Sequence, residues 1–219
     1  MINKSGHYEL IAREAYPYMA IPAISCLLCW WVGYALLSSL FFIISVSIAL
    51  FFRNPSRISP PEDGSLLSPA DGVVDEITMN VESSDLGPGP LTRICIFMSI
   101  FNVHVNRAPI TGEVTKIRYQ PGVFLDARDE AAWTSNEQNA LVIQGNCLKI
   151  EVIQVAGKVA RRISCWVREG EFVQRGKRFG LVHFGSKLVV YCPNDYVVTV
   201  NEGSLVKAGL SVIARPPKE

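Results

Sequence analysis

The chain has 219 residues, enough for one domain of ordinary size plus an appendage. Its formal net charge of +1 gives no field that would steer nucleic acid, so a nucleic-acid partner is excluded from the reading. Six cysteines (Cys26, Cys29, Cys95, Cys147, Cys165 and Cys192) show no zinc spacing, so no metal site is expected, and they read as reduced, small apolar residues.

The first element lies between Ala15 and Phe52, 38 residues without Asp, Glu, Lys or Arg. One membrane span takes about 20 apolar residues, so the run is long for one helix and short for two full spans. Pro22 is expected to break or open a helix near the start, and Gly33 and Ser38-Ser39 are candidate turns. Basic residues flank both ends, Lys4 and Arg13 before it and Arg53 and Arg57 after it. That places both ends on the cytoplasmic side, as a hairpin dipping into the cell membrane. The run is too long for a cleavable signal peptide, and a buried core helix would be shorter and carry a polar face. Residues 1–52 therefore read as an N-terminal tail and membrane-associated helical hairpin, and residues 53–219 as a separate domain.

Pro55, Pro60 and Pro61 mark an extended linker. Beyond it come short runs rich in valine and isoleucine: Gly72 to Ile77, Arg93 to Met98, Gly112 to Ile117, Ala140 to Ile143, Leu148 to Ile153 and Tyr196 to Val200. Closely spaced turn signals separate them, which predicts an all-β flattened barrel or sandwich. One helix is expected to interrupt it, from Asp126 to Trp133, where three alanines favour helix. The pattern E-G-x-x-V-x-x-G occurs at Glu169–Gly176 and again 33 residues later at Glu202–Gly209. Such paired turns resemble the hammerheads of lipoyl- and biotin-carrier folds and predict a pseudo-symmetric barrel.

Four motifs remain: Ser68-Pro69-Ala70-Asp71-Gly72, Asn102-Val103-His104-Val105-Asn106-Arg107-Ala108-Pro109, Asn136-Glu137-Gln138-Asn139, and Phe184-Gly185-Ser186. Singly they are unremarkable. Asp71-Gly72 is an ordinary turn, His104 fits a core histidine between two valines, and Gly185-Ser186 is a small turn between apolar runs. His7 lies in the polar tail. His183 reads as a strand residue beside the turn, facing away from Ser186 if the stretch is one continuous strand.

In this order the motifs resemble the phosphatidylserine decarboxylase family, from about Phe51 to near the C-terminus. The resemblance implies that the chain cuts itself between Gly185 and Ser186. The products are a large β chain, 1–185, and a small α chain, 186–219, which stay together as a heterodimer whose further oligomerisation is open. Ser186 becomes a covalent pyruvoyl group, the pyruvate cofactor. It stands in for pyridoxal phosphate by condensing with the substrate amine and taking up the electrons left when carbon dioxide departs. The implied catalytic residues are Ser186, His104 as base or proton donor, and Asp71 as the aspartate of a relay. One departure stands out. The better-known bacterial pattern has H-x-x-H, and here Arg107 occupies the second place, where it cannot act as a base near neutral pH. Asn136–Asn139 resembles the family's N-E-R-N segment and is read as loop-shaping. The substrate implied is phosphatidylserine or a similar serine phospholipid at the membrane, giving phosphatidylethanolamine. An ether-linked archaetidylserine would use the same headgroup chemistry. A noncatalytic membrane-anchored adaptor on a lipoyl-like domain is the remaining alternative, but the modified-lysine hairpin it would need is missing from the sequence.

Overall fold

The computed structural model describes residues 9–61, 64–83, 85–122, 136–146, 148–157, 162–183 and 186–217. The helix expected at 126–133 lies outside them. The chain divides into two compact units, Met1–Ser56 and Arg57–Glu219.

In the first unit, α1 (Ala15–Val32) and α2 (Ala35–Phe51) pack as a hairpin. Gly33 makes the turn. Its φ of 90° is a left-handed conformation that glycine adopts without a Cβ penalty, and Tyr34 N–H closes the helix end on the Cys29 carbonyl at 2.8 Å. Ser38 Oγ donates across the helices to the Cys26 carbonyl at 3.0 Å, a useful bond where no water competes. The base of the hairpin is tied shut: Ala12 N–H reaches the Phe52 carbonyl at 2.9 Å and Asn54 N–H the Leu10 carbonyl at 2.7 Å. Entry and exit therefore sit together. Contrary to the expectation at Pro22, α1 runs through it, because one lost i→i−4 bond is tolerable in an 18-residue helix supported by a neighbour. At 1.5 Å per residue each helix is about 26 Å long, close to the roughly 30 Å of a hydrocarbon core. Large apolar side chains point outward all round, Trp31 at 82% and Leu36 at 90% exposure among them, a surface suited to lipid rather than water. This unit supports membrane association.

The second unit is β throughout its described residues. Its main sheet is built from β2 (Gly72–Ser83), β3 (Gly87–Met98), β5 (Gly112–Gln120), β6 (Gln138–Gln144), β7 (Lys149–Ala156), β9 (Phe172–Val173), β11 (Ser186–Pro193) and β13 (Leu205–Val206). Their order is β13-β2-β3-β11-β7-β6-β5-β9, every pair antiparallel. Two small sheets complete it: β1 (Leu66–Leu67), β14 (Val212–Arg215) and β12 (Val197–Val198), and β4 (Val105–Arg107), β10 (Arg178–Val182) and β8 (Ile163–Cys165). Alternation along the long strands sends Ile94, Ile96, Met98, Leu141, Ile143, Leu188 and Val190 to one face, where Phe179 and Ile213 from the small sheets join a single core. The other face holds a smaller cluster, Cys95, Ala140, Ile153, Val155 and Val189. Ion pairs surround it, including Lys187–Asp75 at 2.6 Å and Asp85 with Lys116 and Arg118 at 2.7 and 2.8 Å. The five described cysteines are free, and burial pushes the Cys95 and Cys192 thiols up to about 12.

The repeated turns form the two ends of the main sheet, β9 and β13. They are matched bond for bond. Gly170 N–H donates to the Val114 carbonyl and Gly203 N–H to the Val74 carbonyl, both at 2.8 Å. Glu169 accepts from Ile117 N–H at 2.6 Å and Glu202 from Ile77 N–H at 3.0 Å, each beside a register shift in the strand it caps. Val173 and Val206 both point into the core. The strands they pair with are related as well: P-x-x-G-x-V-x-x-I begins at Pro69 and again at Pro109. Gly72 and Gly112 occupy equivalent places, where a Cβ would strike the carbonyl oxygens of Phe97 and Gln144 at 2.1 and 2.4 Å. The pseudo-twofold relates halves of the sheet about the β11–β7 pair.

Candidate functional site

Ser186 is the first residue of β11, at the centre of the main sheet, between Met98 of β3 and Ala156 of β7. The period-two alternation that puts Leu188 and Val190 in the core puts Ser186 there too, fully buried. Lys187 points to the other face and pairs with Asp75. Among the described residues the Ser186 hydroxyl contacts the Met98 thioether, with Oγ donating to Sδ at 3.5 Å. A thioether is a weak acceptor, so the bond orients Oγ without engaging its lone pairs.

Behind Met98 runs a buried chain of amides. Asn139 Nδ2 donates to Gln154 Oε1 at 2.9 Å, Gln154 Nε2 to Asn106 Oδ1 at 2.8 Å, and Asn106 Nδ2 to Met98 Sδ at 3.8 Å. All three amides are buried. Their hydrogen bonds offset a desolvation cost of about 1–3 kcal/mol for each group left unpaired. Gly180 makes room for the chain, since a Cβ there would meet Gln154 Nε2 at 3.0 Å. None of Met98, Asn106 or Gln154 was singled out from the sequence as a site residue. The signal for Gln154 was legible: one amide inside the run Val152-Ile153-Gln154-Val155.

His104 lies just before β4, fully buried. Its Nδ1 is 3.0 Å from the Asn102 carbonyl, which assigns the proton of the neutral ring to Nδ1 and leaves Nε2 as the basic nitrogen. The pairing of β4 with β10 brings the His104 carbonyl to Val182 N–H at 3.3 Å, four residues before Ser186. Met98 and His104, on either side of one short turn, thus reach Ser186 and Val182. Gly185 lies outside the described residues.

Asp71 goes elsewhere. Arg57 grips its carboxylate with both nitrogens, at 2.5 and 2.8 Å, and Ala208 N–H donates to Oδ1 at 2.8 Å. Among the described residues its hydrogen bonds do not run to His104 or Ser186. In the other half of the sheet Thr111 Oγ1 holds the same position, accepting from Arg175 N–H at 3.1 Å. Arg107 is buried beside this pair and donates to the Gly176 carbonyl at 2.8 Å. Burial first, then the neighbouring Arg178 and Arg57 charges, lower its pKa to about 10, with Asp71 pulling the other way. It stays a cation at neutral pH.

Two further expectations meet the structure here. The stretch from Val182 to Ser186 is not one strand: β10 ends at Val182 and β11 starts at Ser186, so alternation does not set His183 opposite Ser186. His183 Nε2 instead lies 3.2 Å from Ser164 Oγ. Asn136–Asn139 shapes the surroundings of Ser186 at one remove. Asn136 Nδ2 donates to the carbonyl of Ala156, the strand partner of Ser186, at 2.7 Å, and Ala156 N–H to the Glu137 carbonyl at 3.0 Å.

Comparison with known proteins covers the same ground. The sequence model described as phosphatidylserine decarboxylase matches residues 46–214. A phosphatidylserine decarboxylase proenzyme of Azorhizobium caulinodans is 43% identical over 210 residues, 93% of this chain and 88% of the relative. Proenzymes of the same name from Xanthobacter autotrophicus and Geotalea uraniireducens are each 42% identical, over 95% and 94% of this chain and 92% and 97% of theirs.

Proposed function

The chain belongs to the phosphatidylserine decarboxylase family, and on that premise we propose that it is a self-cleaving enzyme that converts phosphatidylserine to phosphatidylethanolamine with a pyruvoyl group made from Ser186. The observation that carries the reading is the position of Ser186. It opens the central strand of the sheet, shielded from water, with its hydroxyl oriented by a thioether and its lone pairs available.

Maturation follows from that placement. Oγ attacks the Gly185 carbonyl, and the C–N bond breaks as the acyl group moves to oxygen. The ester then loses the Gly185 carboxylate, with Oγ, as a base removes the Ser186 Cα proton. Water hydrolyses the resulting dehydroalanine, ammonia leaves, and the small chain begins with a pyruvoyl group. When formed, that group supplies an electron sink for decarboxylation. His104 is the base or proton donor in this proposal, acting through Nε2 while Asn102 holds Nδ1. Asp71 belongs to the site through its charge: with both oxygens held, it fixes Arg57 and balances the field at Arg107, rather than relaying a proton. The two products, 1–185 and 186–219, remain joined because β11 pairs with β3 and β7 along its length.

Intact mass spectrometry tests the proposal. The protein should give a large chain ending at Gly185 and a small one with a blocked N-terminus, and Ser186→Ala should remain one inactive chain. A single uncut chain in active protein would refute it. Within this proposal the enzyme works at the cytoplasmic face of the cell membrane, a reading supported by the apolar hairpin and by the basic residues on both of its flanks. Cysteines engineered at 4 and at 58, where Ile58 is 94% exposed, should both resist labelling from outside intact cells; labelling of one alone means a single span, and labelling of both overturns the cytoplasmic placement.

A further inference from the structure

The turn between Met98 and His104 has a second property that its place in the site does not require. Asn102 folds it tightly: Asn102 Oδ1 accepts from both the backbone N–H and the hydroxyl of Ser99 at 2.8 Å, and Asn102 N–H donates to the Ser99 carbonyl at 3.0 Å. At its tip stand Ile100, 53% exposed, and Phe101, 80% exposed. A short turn locked by its own side chain cannot fold these two back onto the core. The equivalent end of β6, in the other half of the sheet, closes at Gly145 N–H on the Leu148 carbonyl and begins Gly145-Asn146, without a large apolar side chain. Exposed phenylalanine and isoleucine on a rigid tip are unfavourable in water and favourable at an acyl-chain boundary. The tip is also local to the chemistry, since the preceding residue pair carries Met98, the strand partner of Ser186, and the following residues carry His104.

We propose that the Ser99–Asn102 turn is an interfacial wedge: Ile100 and Phe101 enter the lipid surface and hold the Ser186–Met98 end of the β11–β3 pair against the bilayer from which the substrate is drawn. The wedge is a membrane contact additional to the helical hairpin, and it belongs to the unit that carries Ser186. This rests on the reading of the chain as a phospholipid decarboxylase.

Two experiments on the full chain test it. In the first, the double variant Ile100→Ser, Phe101→Ser is compared with the unaltered enzyme on vesicles of phosphatidylserine and phosphatidylcholine in equal parts, and on monomeric dihexanoyl-phosphatidylserine below its micelle threshold. Turnover on vesicles should fall about tenfold or more, as expected for losing two buried apolar side chains at the interface. Self-cleavage and turnover of the monomeric lipid should be unchanged. Equal losses on both substrates, or no loss on vesicles, overturn the wedge. In the second, benzoylphenylalanine replaces Phe101 and the protein is illuminated in the same vesicles. A lipid adduct on the fragment bearing residue 101 is expected. An adduct to another protein chain, or none, overturns the wedge whether or not the chain decarboxylates phosphatidylserine, so failure of the wedge is told apart from failure of the functional reading.

Discussion

The two halves of the main sheet share a backbone plan and differ in what they do with it. Both begin P-x-x-G-x-V-x-x-I, both are capped by an E-G-x-x-V-x-x-G turn, and both use a glutamate to hold a strand amide beside a bulge. One half carries Asp71 where the other carries Thr111, each accepting from the amide of a capping turn. The end of β3 leads into the Ser99–Asn102 turn and His104, while the end of β6 closes directly on β7. The contrast separates structure from chemistry. What is common to the halves is the minimum needed to close a sheet edge, and what is present in one half only marks the candidate site.

The contrast can be broken at its chemical end first. His104 has no histidine counterpart in the other half, and His104→Ala should lower decarboxylation by about 10²–10⁴-fold, the scale of general acid–base catalysis. Measuring the fraction cut together with the turnover of the cut fraction assigns the role. Normal maturation with failed turnover makes His104 a proton donor in decarboxylation only. An uncut variant makes it the base for self-cleavage as well. Normal values of both would remove it from the site.

Asp71 and Thr111 sharpen the comparison next. Both should be changed in a Ser186→Ala background, so that one chain unfolds. Asp71→Asn leaves the Arg57 guanidinium buried without its carboxylate and should cost about 3–5 kcal/mol in urea unfolding. Thr111→Val removes one neutral hydrogen bond and should cost about 1 kcal/mol. Equal costs would mean that the Asp71–Arg57 ion pair adds nothing to the shared turn contact.

Smaller still are the effects expected at the shared glutamates. Glu169→Ala and Glu202→Ala each remove one acceptor from a strand amide and should each cost about 1 kcal/mol. The prediction is their equality, read as matching shifts in the urea midpoint, and a clear difference between them breaks the pseudo-symmetry.

The smallest effect is a pH dependence at Glu151, on the far face of the sheet. Burial, with the Asp85 charge adding to it, raises its pKa above the ordinary 4.5, against a hydrogen bond from Ser83. Below 4.5 the group is protonated folded or unfolded. As pH rises, the unfolded chain ionises first and the folded chain keeps its proton longer, so stability falls. Glu151→Gln should match the parent in urea midpoint well below pH 4.5 and gain on it as pH increases. A gain that shrinks with pH would reverse the sign assigned here.

Much of the architecture was readable in order along the chain. The 38-residue uncharged run could only be apolar helix, and the structure chose Gly33 over Ser38-Ser39 for the turn because a left-handed residue closes a helix end without a Cβ clash. Valine-rich runs between glycines read as strands because that signal is local, and the E-G-x-x-V-x-x-G turns were visible because their glycines need positive φ, as Gly170, Gly176, Gly203 and Gly209 have. The second repeat, at Pro69 and Pro109, was equally present in the letters but stood out only once both strands were seen capped alike. Tertiary structure alone decided the partners of the polar groups. Asp71 looked like a turn residue or a relay acid, and its carboxylate went to Arg57 and to Ala208, 137 positions away. Gln154 and Asn106 are 48 positions apart and meet only because β4 and β7 pack on one core. Hydrophobic periodicity places a side chain on a face by backbone geometry, whereas a buried hydrogen bond depends on which distant atom arrives within about 3 Å, and that follows from packing of the whole chain.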